Sequence, residues 1–197
     1  MSTLFINASV RDGSRTEELA KFFLDGFCDD VHEITLRNEN IQPLDRESLM
    51  LRDRLIAEHI TDHPLLQYAR EFSQADTIVI AAPFCDLSFP SLLKIYFEAV
   101  SVVGLTFCYG NNAPRGLCRA NRLFYITTSG GPITSDFGFS YVKELAETFY
   151  EIKQTKCFRA EGLDIIGADV DGIMAKAKSE IEVWLALNSH NRPTKET

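Results

Sequence analysis

The stretch SVRDGSRT at residues 9–16 concentrates side chains that can bind an anion. Its hydroxyl and cationic residues are Ser9, Arg11, Ser14, Arg15 and Thr16. A helix that begins near Arg15 would add free backbone N–H groups at the same place, and this combination of donors suits a dianionic phosphate. Ser14 and Glu17 also have the spacing of a capping box, which would use the same donors. The sequence therefore predicts a phosphate site at a helix N-terminus, with a simple cap as the alternative.

A second candidate segment is PFCDLSFP, which follows a strongly apolar run at residues 76–82. Four of its residues stand where a core element would meet solvent, namely Phe84, Cys85, Asp86 and Leu87. Their backbone and apolar side chains could line a flat aromatic ligand. Cys85 could also be a redox thiol, although a cysteine without a resolving partner is more often a small packed residue.

A third candidate segment is TTSGGP at residues 127–132, which contains Thr128, Ser129, Gly130 and Gly131. Two successive glycines let the backbone approach a flat ligand closely and present N–H groups to its edge. Taken alone, the segment would be equally explained by a tight turn ahead of Pro132.

The absence of standard nucleotide-binding motifs restricts the class of phosphate ligand that the loop could bind. The stretch at residues 9–16 contains neither Gly-x-Gly-x-x-Gly nor Gly-Lys-Ser/Thr, which disfavours a dinucleotide fold and a nucleotide triphosphatase. A hydroxyl-rich loop that binds one terminal phosphate is what flavin mononucleotide (FMN) requires. We therefore predict FMN as the ligand.

The elements that must position these three segments alternate between strand and helix. Five short runs rich in β-branched and aromatic residues predict strands, at residues 3–9, 31–36, 76–82, 122–128 and about 156–163. Helical periodicity is clearest at residues 15–27 and 170–187. This alternation predicts an α/β protein, specifically a flavodoxin-like doubly wound five-stranded parallel sheet with helices on both faces. Ligands of such sheets bind beyond the carboxyl ends of the strands, where the three candidate segments would meet.

The chain is predicted to form one FMN-binding domain at residues 1–188, followed by a polar tail at 189–197. Two insertions depart from a minimal doubly wound sheet. Residues 39–63 are expected to carry one extra helix, and residues 104–119 a short hairpin or extended loop.

Composition restricts the partners and the compartment. The 197 residues are 45% hydrophobic and carry a net charge of −8, which argues against nucleic acid because phosphate backbones need a basic face. There is no basic signal-peptide start and no apolar run long enough for a membrane span, so we expect a cytoplasmic protein that does not bind membranes. Five cysteines without a Cys-x-x-Cys pair indicate reduced thiols. His59 and His63 are the only pair with metal-like spacing, and Pro64 disfavours a shared helix face, so no metal site is predicted.

Four segments in order, APFCDLSFPSLLKIYFE, GLTFCYGNNAPRGL, YITTSGGP and RAEGL, resemble the FMN-dependent NAD(P)H azoreductase and quinone reductase family of flavodoxin-like enzymes. The resemblance covers nearly the whole chain. It implies that FMN and either NADH or NADPH are the cofactors, and that the acceptors are quinones, azo compounds or related small aromatic molecules.

The resemblance also assigns residues and an assembly. It implies that Ser9, Ser14, Arg15 and Thr16 bind the FMN phosphate, and that residues 84–87 and 128–131 contact the flavin. It further implies a homodimer with active sites at the subunit interface, in which Tyr109 and Phe149 line the substrate cavity. The sequence departs from the family pattern at Phe84, Cys85, Asp86 and Ser129, where methionine, tyrosine, asparagine and arginine are expected.

Two other functions remain compatible with the sequence. A flavodoxin-type electron carrier would share the fold, FMN and the acidic charge, but would have little use for the segment at residues 104–119. An interaction protein that retains the scaffold without a flavin would leave the hydroxyl and glycine segments unexplained. The helix at 91–100 has apolar residues on more than one face, which independently favours a homodimer that covers the second face.

Overall fold

The structure, a computed structural model, describes residues 2–27, 30–110 and 113–188. Its strands are β1 (Thr3–Asn7), β2 (Val31–Thr35), β3 (Thr77–Ala81), β4 (Phe107–Tyr109), β5 (Pro114–Gly116), β6 (Arg122–Thr128) and β7 (Gln154–Ala160). Five of them form one sheet in the order β2-β1-β3-β6-β7, and every neighbouring pair is parallel. The predicted flavodoxin-like doubly wound sheet is therefore confirmed.

The helices are α1 (Arg15–Phe27), α2 (Arg46–Ala57), α3 (Gln67–Gln74), α4 (Ser91–Val100), α5 (Phe139–Thr148) and α6 (Val170–Leu187). One face of the sheet is covered by α1 and α6, whose Phe23 and Trp184 pack around Phe124 of β6. The other face is covered by residues of α3, α4 and α5 around Ile78 and Tyr125. Helices α1 and α6 begin and end at the predicted residues.

Burial along the strands follows their place in the sheet. Every residue of β1, β3 and β6 is buried, as expected for strands covered on both faces, while most of β2 is exposed. Since the strands are parallel, the loops after β1, β3 and β6 all leave the sheet at its carboxyl edge. The β1–β3 and β3–β6 pairings bring the three loops side by side.

Both predicted insertions contain the expected elements. Helix α2 occupies the first, and its N-cap Asp45 accepts a hydrogen bond from the Ser48 backbone N–H at 2.7 Å. The second is the antiparallel β4–β5 hairpin. The predicted polar tail at residues 189–197 and Cys28 lie outside the described residues.

Candidate functional site

Loops from the carboxyl edge of the sheet enclose a cleft of about 340 Å³. Residues 10–16 line it after β1, and residues 128–130 line it after β6. Pro83, Phe84, Cys85 and Pro90 line it between β3 and α4, and Leu163 and Asp164 line it after β7. Parts of all three candidate segments thus line one cleft, together with the β7–α6 loop, but four residues predicted to bind the cofactor are not among the lining residues: Ser9, Asp86, Leu87 and Gly131.

The hydroxyls of the first loop are organised around the start of α1. Ser14 Oγ donates to Ser9 Oγ at 3.1 Å and accepts from the Glu17 backbone N–H at 3.4 Å. The Glu17 carboxylate accepts from Lys21 Nζ, and this bond together with the Lys21 and Arg37 charges holds its pKa below the usual value. The described contacts therefore contain only the serine half of the predicted capping box. Ser14 is a cap that also faces the cleft.

Thr16 joins the first loop to the end of β6. Its Oγ1 lies 2.6 Å from Thr128 Oγ1, both residues are buried, and either hydroxyl can be the donor. In such a pair one hydroxyl donates its proton to the other. The accepting hydroxyl therefore keeps its own proton, which it can donate toward the cleft. Ser9 is fully buried beneath the loop and reaches the cleft through Ser14.

The two arginines of the first loop have different surroundings. Arg15 donates to the Leu163 carbonyl at 3.1 Å and to Asp164 Oδ1 at 2.8 Å, so its guanidinium ties the start of α1 to the β7–α6 loop. Arg11 is exposed at the cleft, and its positive charge acts on the Cys85 thiol. Both line the cleft, but only Arg15 is fixed by charged and carbonyl partners in the described structure.

The segment after β3 forms a tight two-residue turn. Cys85 and Ser88 exchange backbone hydrogen bonds of 3.1 and 2.7 Å, and the central residues Asp86 and Leu87 have φ of 49° and 65°. Left-handed φ at both central positions is the pattern of a type I′ turn, which normally uses Asn-Gly or Asp-Gly. Leucine in this region costs about 1–2 kcal/mol, so the turn is strained where it borders the cleft.

Replacing Leu87 with glycine should raise the free energy of unfolding by about 0.5–1 kcal/mol. Leu87 is 51% exposed, so little packing is lost, and relief of the left-handed conformation outweighs the greater chain entropy of glycine. For a domain of this size the melting temperature should rise by about 1–4 °C, which differential scanning calorimetry of the apoprotein can measure.

Leu117→Gly is the matched control for this turn. Leu117 is exposed to a similar degree, at 39%, and is not among the described residues with positive φ. Glycine there should lower the melting temperature, because it adds chain entropy without relieving strain. If both variants destabilise the protein equally, the turn is not strained.

Cys85 lies at the first position of this turn. Burial and the nearby Asp86 raise the pKa of its thiol, and the Arg11 charge offsets this only in part. Because the thiolate is the nucleophilic form, this environment favours the packing role over the redox role considered for Cys85.

Gly130 and Gly131 differ in what their missing side chains permit. A Cβ on Gly130 would lie 2.5 Å from Asp164 Oδ2, and the Asp164 N–H donates to the Gly130 carbonyl at 2.9 Å, so a side chain at this position would displace the carboxylate that pairs with Arg15. A Cβ on Gly131 would meet no described atom within 4 Å. Gly131 is half-buried, and its carbonyl accepts hydrogen bonds from Ser129 Oγ and from the Gly162 N–H.

Tyr109 and Phe149 lie far from this cleft within one chain. Both rings pack against Phe107, with centroids 5.6 and 5.0 Å away. Arg119, which follows β5, donates its N–H to the carbonyl of Ser73 near the end of α3, and this contact places the end of the hairpin segment near the amino edge of the sheet. Strand β6 separates the two edges by about 20 Å. One chain therefore does not bring the two predicted substrate aromatics to the cleft.

His63, one of the two histidines with metal-like spacing, has a structural role. His63 Nδ1 accepts from the Leu65 N–H at 3.1 Å, so this side chain caps the short 3₁₀ turn at Pro64–Leu66. Within residues 2–27, 30–110 and 113–188, no cluster of three His, Cys, Asp or Glu side chains could hold a metal ion. Cys85, Cys108, Cys118 and Cys157 are free thiols. None of the described helices has the length and apolar character needed to cross a bilayer.

Comparison with known proteins first defines the class. A family model described as a flavodoxin-like fold matches residues 1–185. An azoreductase from Bacillus anthracis superposes with a TM-score of 0.78 at 19% identity, covering 94% of this chain and 99% of that chain. An FMN-dependent NADH-azoreductase of the same organism, solved in complex with FMN, gives a TM-score of 0.78 at 22% identity and covers 95% of this chain and 99% of its own. The chain is a flavodoxin-like protein.

Two curated relatives then narrow the family. An FMN-dependent NADH:quinone oxidoreductase of Coprothermobacter proteolyticus is 31% identical over 195 residues, covering 91% of this chain and 95% of the relative. Another, from Clostridium acetobutylicum, is 33% identical over 179 residues, covering 85% of this chain and 88% of the relative. The chain belongs to the family of flavodoxin-like FMN-dependent NADH:quinone oxidoreductases, which confirms the family predicted from the sequence.

Proposed function

We propose that the protein is an FMN-dependent oxidoreductase that transfers a hydride from NADH, through FMN, to a quinone, an azo compound or a related aromatic acceptor. The observation that carries this proposal is that three separate segments contribute to one cleft: the hydroxyl-rich loop at residues 10–16, Phe84 and Cys85 after β3, and residues 128–130 after β6. The names of the curated relatives agree with it.

The donors in the cleft fit FMN. Ser14, Thr16 and the N-terminal N–H groups of α1 would bind its phosphate, with Arg11 as an exposed cation beside them. Phe84 and the backbone of the neighbouring turn would contact the face of the ring, and Ser129 to Gly131 its edge. The flavin supplies the redox chemistry, so the chain needs no side-chain nucleophile. Its residues bind the phosphate, hold the ring and limit the access of water.

The identity of the bound cofactor tests this proposal. Purified protein should be yellow, and mass spectrometry of the cofactor released by denaturation should give FMN. FAD alone would contradict the single-phosphate loop, because that loop lacks a dinucleotide motif. A colourless protein that takes up neither flavin would favour the interaction protein. Slow bleaching by both NADH and NADPH would favour the electron carrier over the enzyme.

We further propose a homodimer in which α4 contributes to the interface. Leu93, Tyr96 and Phe97 of this helix are buried within the chain, whereas Leu92 and Ile95 are only half-buried. A second copy packed on Leu92 and Ile95 would cover them, and it could bring aromatic residues from its own amino edge to the cleft. Such an arrangement would give Tyr109 and Phe149 the substrate role that one chain cannot.

Multi-angle light scattering at micromolar concentration should give twice the chain mass for the FMN-bound protein. Ile95→Lys should shift this mass toward that of the monomer, because it places a charge in the interface. Val183→Lys, which changes a 57% exposed residue of α6, should remain dimeric. A monomeric wild-type protein with FMN bound would contradict the dimer.

The reaction is proposed to take place in the cytoplasm. The four described cysteines are free, and a reducing compartment is where such thiols persist. NADH is also supplied there.

A further inference from the structure

The loop at residues 9–14 is held from behind by Arg37, which does not line the cleft. Arg37 belongs to a short 3₁₀ turn, Leu36–Asn38, directly after the edge strand β2. Its Nη1 donates to the Ser9 carbonyl at 3.0 Å and to Glu17 Oε2 at 3.4 Å, while Nη2 lies 3.4 Å from Asp12 Oδ1. One guanidinium thereby contacts the start of the loop, its middle and the first turn of α1.

Ser9 shows why such a contact is needed. The residue is fully buried, and it lies beyond the last residue of β1, Asn7. Its N–H donates to Asn7 Oδ1 at 3.0 Å, and its carbonyl accepts from Arg37. Because a buried backbone group without a partner is costly, these two side chains replace the hydrogen bonds that a sheet would supply. They hold the backbone of Ser9, whose hydroxyl oxygen accepts from Ser14.

The environment of the Arg37 side chain suits a residue that holds the loop at residues 9–14 in place. It is only 24% exposed, and the Glu17 carboxylate that it contacts is 15% exposed. The planar guanidinium can serve several acceptors at fixed angles, which an ammonium group on a flexible stem cannot do. A loop held at Ser9 and Asp12, and tied to α1 through Glu17, before any ligand arrives loses less conformational entropy on binding.

We propose that Arg37 is a positioning residue that preorganises the loop at residues 9–14 for the phosphate of the flavin. This assignment rests on the proposed function. Arg37 acts through Ser9, Asp12 and Glu17 and does not line the cleft. Although two of these contacts are ion pairs, the assignment attributes the preorganisation to the planar guanidinium, which reaches all three partners at once. Without it, the loop samples conformations that cannot bind, and the apparent affinity falls in proportion to the population lost.

Three variants test this assignment. In apoprotein R37M, hydrogen–deuterium exchange at residues 9–14 should be about tenfold faster than in the wild type, and the FMN dissociation constant about tenfold higher. R37K keeps the positive charge but lacks the planar guanidinium with its several N–H donors, and it should resemble R37M. R70M is the matched control, since Arg70 also ties a loop by donating to two carbonyls, those of Thr61 and His63, away from the cleft. It should leave FMN affinity unchanged.

The outcomes separate this proposal from the proposed function. A wild-type protein that binds no FMN overturns the function, and the assignment falls with it. Wild-type binding with equal affinities in R37M overturns the assignment alone, as does full affinity in R37K, which would show that charge suffices. If R37M does not fold, R37K decides the question. Weaker FMN binding is expected in R37K if the guanidinium geometry matters, and unchanged binding if the positive charge suffices.

Discussion

Replacing Ser14 and Thr16 with alanine should weaken FMN binding by about 1–3 kcal/mol for each lost phosphate partner, or roughly 5- to 150-fold for each. Ser14 Oγ faces the cleft at the start of α1, and Thr16 Oγ1 forms a hydrogen bond with Thr128 Oγ1 in which either hydroxyl can be the donor. Hydrogen bonds to a charged phosphate are stronger than those between neutral groups, so the loss on binding should exceed the loss on folding. Titration of apoprotein variants, followed by quenching of FMN fluorescence, gives the affinities.

The same substitutions must be separated from simple loss of a cap. Losing an N-cap costs about 1 kcal/mol of stability, and Thr16→Ala also removes a partner from the buried Thr128 hydroxyl. Asp45→Ala is the matched control, because it removes the cap of α2, outside the cleft. It should lower the melting temperature without changing FMN affinity. If Ser14→Ala behaves in the same way, the capping interpretation is correct and the phosphate interpretation is wrong.

The fold could be predicted because its signals are local. Every residue of β1, β3 and β6 is buried, and this produces the continuous apolar runs that were recognised in the sequence. Helices α1 and α6 have clear periodicity and recognisable ends. Helix α3 has only eight residues, begins directly after the 3₁₀ turn at Pro64–Leu66 and buries only Ala69 and Phe72, so it is too short to repeat its apolar spacing as α1 and α6 do.

The residues of the candidate site could likewise be predicted only where their sequence signals are local. The three segments of the cleft could be located because strand order places the loops of a parallel sheet together. Asp164 and Arg37 could not, since each is defined by a partner distant in sequence: Asp164 pairs with Arg15, and Arg37 with Ser9. Nothing in the sequence next to Arg37 indicates that this residue holds a loop that precedes it by more than twenty residues. The strain at Leu87 was also hidden, because leucine does not indicate left-handed backbone.

Tyr109→Ala should raise the Michaelis constant for aromatic acceptors by about 2- to 10-fold, which corresponds to the loss of one aromatic stacking contact. Tyr109 is 70% exposed and packs edge-on against Phe107 alone among the described rings, so its removal should cost little stability. Single-turnover oxidation of NADH should change by less than twofold. Because Tyr109 lies at the sheet edge opposite the cleft, this effect requires a second copy of the chain. Cys108→Ala, a neighbour on the same strand, is the control and should leave the acceptor constant unchanged.

The order of binding can be predicted from the same cleft. In the proposed dimer, nicotinamide and acceptor are both flat rings that need the open side of the site, which would be bounded by Phe84 of one chain and by aromatic residues of the second copy. They cannot occupy it together, so oxidised nicotinamide must leave before the acceptor binds. Reciprocal plots of rate against NADH at several quinone concentrations should therefore be parallel, as in a ping-pong cycle. Intersecting plots, together with a ternary complex isolated from a product-inhibited mixture, would show that the two ligands bind at separate places, and Tyr109 could then not be shared between them.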